Sequence, residues 1–152
     1  MLGVTCSGST ALLTAVEAGQ VMEAPIYRIQ PANLSEASAE LEATLDEIGR
    51  ALTQLRPDSI VLLLPEQSPQ HKHAYSQIAP RVTMETLLRL AAVRAAVPIE
   101  LMSRPTLRSR LELPAKGDLA SHTALRITEP VGPYWNAGRN VAALAALAGE
   151  AA

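Results

Sequence analysis

The sequence contains no phenylalanine, only four tyrosine and tryptophan residues together, and a single cysteine, Cys6. One cysteine excludes an internal disulfide, and it does not form a zinc site without several other ligands. The longest apolar run, residues 60–65, is far shorter than the ~20 residues that a membrane-spanning helix needs. Basic residues are also not in excess, because 13 Lys and Arg oppose 15 Asp and Glu. These absences exclude a disulfide scaffold and a membrane-spanning protein, and they argue against a general nucleic-acid binder.

The residues that are present indicate one folded domain over residues 1–152. The chain is 48% hydrophobic and 18% charged, which is enough apolar material for a core and too little charge for a disordered chain. No basic segment precedes the first apolar stretch, so we expect no cleaved signal peptide and a cytoplasmic location. The charge is unevenly distributed, because residues 1–63 carry a net −5 and residues 64–152 a net +3. The positive excess in the second part leaves room for a local nucleic-acid site.

Hydrophobic periodicity predicts strands first and then a helix. Residues 1–6, 11–17 and 21–29 are predicted as three strands, joined by short turns into an antiparallel meander. A helix is predicted over residues 36–56, with an apolar stripe formed by Leu41, Leu45, Ile48, Leu52 and Leu55. The stripe favours a helix that faces the core of the domain, and a seam for a partner helix is the alternative.

The remaining elements complete an α/β pattern. The uninterrupted apolar run over residues 59–64 is typical of a central parallel strand. A polar loop over 68–80 is expected to precede a helix over 82–96 and a strand over 99–102, and further helices are predicted from Arg104, after Asp118 and over 136–148. We therefore predict a five-stranded mixed sheet, an antiparallel meander plus two parallel strands, with helices on both faces.

This order of elements is that of the ribonuclease H-like fold, and individual segments resemble the RuvC-type Holliday-junction resolvases. The segment Leu2-Gly3-Val4-Thr5-Cys6-Ser7-Gly8 resembles that family's opening strand, which ends Gly-Ile-Asp-Pro-Gly. The buried strand that leads to Glu66 is similar to its second catalytic strand. Residues 89–110 resemble the segment that builds a dimer and supports a junction site, and residues 137–147 resemble the last helix.

The resemblance implies two-metal phosphodiester hydrolysis, in which two Mg²⁺ ions are held by acids on the first strand, after the fourth strand and on the last helix. Here Thr5 stands at the first position, Glu66 at the second, and Asn136 and Asn140 where the last acids are expected. One carboxylate does not neutralise two Mg²⁺ ions. We therefore interpret the metal positions as degenerate, with Glu66 as the remnant acid, and expect lost or reduced catalysis; Mg²⁺ is the cofactor expected of any activity that is retained.

The densest basic segment is the second candidate site, and it comprises Arg104, Arg108, Arg110 and Lys116. Arg104 and Arg108 are one helical turn apart, so they are predicted to share a face and to contact adjacent phosphates. A salt-bridged or solvated surface is an equally weighted alternative. The resemblance implies branched or duplex DNA as the partner, and a homodimer formed through the helix over residues 83–96.

Two other functions remain open at this point. The fold is alternatively retained as a protein-interaction module, with the acidic first half or the helix over 36–56 as the partner surface. The third hypothesis is an active metal-dependent junction endonuclease that uses a non-standard set of acids.

Three smaller motifs favour structural interpretations. His71, Lys72 and His73 indicate a basic loop more than a metal site, because no third ligand lies at a recognised spacing. Cys6 is interpreted as a small buried residue and not as a nucleophile. The segment over residues 7–10 is predicted to be a hairpin turn in preference to a phosphate cradle.

Overall fold

The structure is a computed structural model, and it describes residues 1–31, 34, 38–66 and 73–152. Within these residues, six strands form one mixed sheet: β1 (Leu2–Ser7), β2 (Thr10–Glu17), β3 (Gln20–Met22), β4 (Arg28–Ile29), β5 (Ile60–Leu63) and β6 (Ile99–Met102). The main strand order is β3-β2-β1-β5-β6, and β4 also pairs with β2. β1 is antiparallel to β2 and parallel to β5, which is in turn parallel to β6. The predicted mixed sheet is confirmed, with one strand more than expected.

The additional strand arises because the single strand predicted over residues 21–29 is interrupted. Met22 pairs with Ala15, and the Leu13 amide donates to the Tyr27 carbonyl at 2.9 Å. Residues 23–26 therefore bulge out opposite Thr14. Pro25 lies in this bulge and has no N–H to contribute to a ladder, which explains why pairing stops on one side of it and resumes as β4.

In the part of the chain that the structure describes, four α-helices and two 3₁₀ turns cover the sheet: α1 (Ser38–Leu55), α2 (Tyr75–Arg94), α3 (Arg104–Arg110), α4 (Arg139–Glu150), and the turns Ala120–Leu125 and Trp135–Ala137. On one face, the stripe of α1 and the buried side of α2 pack against Leu2, Val4 and Leu62. On the other face, α3 and α4 pack against Val61 and Leu63. Helices on both faces, and a stripe on α1 that faces the core, were both predicted correctly.

The polar loop predicted over residues 68–80 is wrong in its second part, because α2 begins at Tyr75. Pro80 lies inside the first turns of this helix, whereas the sequence predicts a loop that ends there. Proline at this position costs the hydrogen bond to the carbonyl of Ser76. Gln77 supports the helix start, since its side-chain oxygen accepts from the Ala74 amide at 3.2 Å and its own amide donates to the Ala74 carbonyl at 2.9 Å. Residues 67–72 lie outside the described residues.

The final helix lies unusually close to the central strand. Ala142, Ala143, Ala145 and Ala146 are fully buried. A Cβ atom added to Gly3 of β1 would lie 1.9 Å from the Ala142 carbonyl oxygen and 2.8 Å from the Ala146 nitrogen. The sheet and the helix backbone thus touch, and this contact is possible only because neither side places a large side chain between them.

One fully buried arginine fixes the beginning of this helix. Arg139 donates from Nε to the Leu13 carbonyl at 2.8 Å and from Nη1 to the carbonyls of Val131 and Pro133, each at 2.7 Å. Its guanidinium lies 4.0 Å from the centre of the Tyr27 ring. Burial lowers the pKa of Arg139 from its usual range. The side chain therefore ties β2 and the segment before α4 together without a carboxylate partner among the residues described.

Within the described ranges, no helix is long and apolar enough to cross a membrane.

Candidate functional site

Two adjoining cavities open at the carboxyl ends of the parallel strands. In open α/β sheets this edge is where ligands bind, because the chain leaves the strands there in loops that carry polar side chains. The first cavity has a volume of about 390 Å³ and the second about 750 Å³. Pro65 and Arg104 line both of them. We refer to them as the hairpin cavity and the loop cavity.

The hairpin cavity is lined by the end of β1 and by the turn that follows it. Thr5, Cys6, Ser7 and Gly8 contribute this wall. The predicted hairpin turn is confirmed, since Ser7 pairs with Thr10 across it. The opposite walls come from Arg81 of α2, Arg104 of α3, Asp118, and the Ala137–Gly138 segment that precedes α4.

Arg104 occupies the wall that the two cavities share. Its side chain is half-buried, and its Nε atom is buried without a hydrogen-bond partner. No hydrogen bond or ion pair joins the side chain of Arg104 to any other residue in the part of the chain that the structure describes. The buried Nε is closed to a ligand, but the Nη atoms of Arg104 are not buried and form no hydrogen bond with a described residue, so they are available to a ligand in the two cavities.

Arg81 forms only a long ion pair with Glu85, its neighbour on the same helix face. Its Nε lies 3.6 Å from Glu85 Oε1, which makes an ion pair but not a hydrogen bond. Burial raises the pKa of the Glu85 carboxyl, and the nearby Arg81 and Arg89 oppose that shift. The Arg81 guanidinium therefore keeps most of its hydrogen-bonding capacity for the cavity that it lines.

Cys6 is not a nucleophile in this cavity. Burial, with a smaller contribution from Glu85, raises the pKa of its thiol to about 12, so the thiolate that reacts or binds metal is absent at neutral pH. This agrees with the interpretation of Cys6 as a small buried residue.

The loop cavity brings together Glu66, Arg104, Arg108 and Lys116, four of the residues singled out in the sequence. Arg108 donates to the carbonyls of Pro114 and Gly117, and its Nη1 lies 3.1 Å from His122 Nδ1. Arg108 thereby holds the loop that carries Lys116. Glu66 and Lys116 are both exposed.

Arg110, the remaining member of the basic segment, lies elsewhere. Its guanidinium forms an ion pair with Glu100 of β6, with N–O distances of 2.7 and 3.0 Å, and this hydrogen bond raises the pKa of Arg110. It also approaches the Ala148 carbonyl at 3.5 Å. Arg110 lines neither cavity, so the structure does not bring it together with Arg104, Arg108 and Lys116.

The four positions compared with metal ligands do not line one cavity together. Thr5 lines the hairpin cavity, where its hydroxyl donates to the Gly138 carbonyl at 3.5 Å. Glu66 lines only the loop cavity. Asn136 is exposed, and Asn140 is buried with its side-chain oxygen accepting from the Val141 amide at 2.8 Å.

Clusters of three or more His, Cys, Asp or Glu side chains that would suit a metal ion are also absent from the described part of the chain. The hairpin cavity has one carboxylate among its described lining residues, Asp118, and its Oδ1 accepts from the Ala120 amide at 3.3 Å. His73 lines the hairpin cavity as well, whereas His71 and Lys72 lie outside the described residues.

Arg81 is the cavity residue that the sequence did not reveal. It follows Pro80, and the sequence places it at the boundary of a loop. The spacing of Arg81 and Glu85 indicates one helix face and is the available signal. That Arg81 lines the same cavity as Thr5 and Arg104 depends on how α2 lies over the sheet.

Comparisons with known proteins agree with this geometry at the level of the fold. RuvC from Thermus thermophilus in complex with a Holliday junction substrate superposes with a TM-score of 0.70 and 14% identity, over 99% of this chain and 91% of that one. Another Thermus thermophilus RuvC structure superposes with a TM-score of 0.69 and the same 14% identity, over 99% and 92% of the two chains. This chain has the RuvC fold. Scans against protein-family models and against curated proteins give no match.

Proposed function

We propose that this protein is a RuvC-like nucleic-acid-binding protein that contacts branched or duplex DNA along the edge formed by the two cavities. One observation carries the proposal: Arg104 has no partner among the described residues and stands between two cavities that other cationic side chains also line. The ionisable lining comprises Arg81, Arg104, Arg108 and Lys116 against Asp118 and Glu66, besides His73. A surplus of guanidinium and ammonium groups suits a phosphate backbone. The solved complex of RuvC with a Holliday junction supports the choice of branched DNA.

We further propose that this binding is not coupled to the two-metal hydrolysis that the fold family implies. Two Mg²⁺ ions need several carboxylate ligands within reach of one another. The described lining of the hairpin cavity offers one carboxylate and two guanidinium groups, which does not fit such a pair of ions. Glu66 lines the neighbouring cavity and not the one that Thr5 lines, which supports the proposal. The endonuclease hypothesis would instead be established if the protein cleaves a four-way junction in the presence of Mg²⁺ or Mn²⁺ and the Glu66→Gln variant does not.

The salt dependence of DNA binding tests the proposal. With Arg81, Arg104 and Lys116 contacting phosphates, the affinity for a four-way junction should fall with salt with a log–log slope of about −3 per bound protomer. Arg104→Gln and Lys116→Gln should each reduce that slope by about 1. The matched control is Arg50→Gln, because Arg50 is exposed on α1 and lines neither cavity, so its replacement should leave both affinity and slope unchanged.

Two outcomes contradict this proposal. If the protein shows no salt-dependent binding of junction or duplex DNA at low salt, the interaction-module hypothesis is favoured. If Arg50→Gln weakens binding as much as Arg104→Gln, DNA binding is a diffuse electrostatic effect and not a property of this edge.

A homodimer through α2 is the second part of the proposal. Four exposed apolar residues are spaced along one side of this helix, and their exposed fractions range from 41% to 82%: Tyr75, Val82, Leu90 and Val93. Exposed apolar residues that form a stripe are typical of a covered surface, whereas single ones are ordinary. A second copy of the same helix would cover this stripe symmetrically.

Sedimentation tests the dimer. The wild-type protein should sediment as a dimer at micromolar concentration, and Val93→Glu should convert it to a monomer with little change in melting temperature because Val93 is not in the core. Leu125→Glu is the control, since Leu125 is 61% exposed and lies outside α2. A wild-type protein that sediments as a monomer contradicts the proposal.

A further inference from the structure

The hairpin cavity, which Thr5 at the first of the compared metal positions lines, has the donors of an anion site. Arg81 and Arg104 approach it from different elements, α2 and the start of α3. Neither forms an ion pair with Asp118, the one described carboxylate in the lining. Two guanidinium groups thus face one cavity while the available acid accepts a backbone amide.

Both arginines have unused hydrogen-bonding capacity. The Nε atoms of Arg81 and Arg104 are buried and donate no hydrogen bond. For comparison, Arg108 and Arg139 use their guanidinium groups on backbone carbonyls, and Arg110 uses its group on Glu100. Arg139 also keeps a buried Nη2 atom without a partner, so one unpaired donor does not by itself mark a ligand site. Arg81 and Arg104 differ from these three arginines because their side chains form no hydrogen bond with a described residue and both line the hairpin cavity. Their Nη atoms are not buried and are available to an acceptor-rich ligand.

The size and shape of the cavity restrict the ligand. A volume of about 390 Å³ lies in the lower part of the range for small-molecule sites, about 300–1,000 Å³. The guanidinium fork matches oxygens arranged as in a phosphate, and Ser7 and Thr5 add hydroxyl groups to the lining. The adjoining loop cavity, which Arg108 and Lys116 line, extends the positive surface.

We propose that Arg81 and Arg104 hold a phosphate group in the hairpin cavity without a metal ion. The group belongs either to a free nucleotide or to a nucleic-acid strand that continues into the loop cavity. If the phosphate belongs to a nucleic-acid strand, the inference rests on the proposed function and deepens it. In that case the guanidinium groups contact the phosphate directly, and no metal ion bridges it to the protein. No bond is made or broken in this step.

Calorimetric titration in the presence of EDTA tests the site. The probes are inorganic phosphate, AMP, adenosine and acetate at constant ionic strength. Inorganic phosphate and AMP should bind, and adenosine and acetate should not. Arg81→Gln and Arg104→Gln should each weaken AMP binding at least about tenfold. Arg94→Gln is the control, because Arg94 is exposed in the last turn of α2, about 20 Å along the helix axis from Arg81.

Loss of folding does not confound the comparison. Arg104 supports no other described residue, so its replacement should leave the melting temperature unchanged. Arg104→Lys provides a second variant, which keeps the charge but loses the fork and should retain only part of the affinity. Competition identifies the source: AMP that displaces a four-way junction indicates a phosphate of the strand, and AMP that binds together with the junction indicates a free nucleotide.

Three results would overturn the inference: no binding of phosphate or AMP at millimolar concentration, equal binding of acetate, or binding that appears only when Mg²⁺ is added. The inference and the proposed function fail separately. Junction binding without any phosphate or AMP binding rejects the hairpin site and leaves the DNA-binding edge intact. AMP binding without junction binding retains the site and rejects the DNA-binding function.

Discussion

Gly3→Ala should destabilise the protein by about 4 kcal/mol or more, which is the largest effect that we expect from any single methyl group. The added Cβ would lie 1.9 Å from the carbonyl oxygen of Ala142, and backbone atoms cannot yield as a flexible side chain does. β1 and α4 would have to separate, and β1 carries Thr5 and Ser7 to the hairpin cavity. Chemical denaturation measures the loss directly, provided that the variant still folds.

Gly49→Ala is the matched control for that substitution. Gly49 lies within α1, and a Cβ added there meets no atom within 4 Å. Because alanine is the better helix former, this variant should gain up to about 1 kcal/mol. A Gly3→Ala protein with a free energy of unfolding within about 1 kcal/mol of the wild type would contradict the close packing of β1 on α4.

Arg139→Met should cost about 3–5 kcal/mol, because it removes the donor from three backbone carbonyls inside the protein. The methionine is similar in length and apolar, so the loss measures the missing hydrogen bonds more than a cavity. Arg139→Lys should recover only part of the stability, since an ammonium group lacks the planar fork that reaches Leu13 on one side and Val131 and Pro133 on the other.

Arg28→Met separates this effect from stacking on an aromatic ring. The Arg28 guanidinium lies 4.3 Å from the centre of the Tyr134 ring, but Arg28 is exposed and no hydrogen bond of its side chain to another described residue is present. Its replacement should cost about 1 kcal/mol or less. Equal losses of stability in Arg28→Met and Arg139→Met would show that the buried hydrogen bonds of Arg139 contribute little.

The elements with regular hydrophobic patterns were predictable from the sequence. The leucine stripe of α1 and the apolar run of β5 each have a single compatible placement, on the sheet and in its centre. The effect of proline is the part that the sequence does not predict. Pro25 interrupts a segment that is predicted as one strand, whereas Pro80 lies within a helix at the end of a segment that is predicted as a loop. In each case the outcome depends on neighbouring backbone partners that the local sequence does not specify.

The candidate site was predictable only in part, because charge clusters in a sequence do not reveal their partners. Arg104, Arg108 and Arg110 were equivalent members of one basic segment. In the structure Arg110 pairs with Glu100, Arg108 holds the loop around Gly117, and Arg104 remains unpartnered among the described residues. These differences in partners depend on where the tertiary fold places each side chain. The contribution of Arg81 to the same cavity likewise depends on the path of α2 across the sheet.

The central claim is that nucleic acid binds at the edge formed by the hairpin and loop cavities. Amide hydrogen exchange of the protein with and without a four-way DNA junction, in EDTA, tests it most directly. Exchange should slow in the β1–β2 turn over residues 7–10, at the start of α3 over residues 103–106, and in the loop over residues 114–118. Slowed exchange confined to α1, or no change in exchange at saturating junction, would contradict the account.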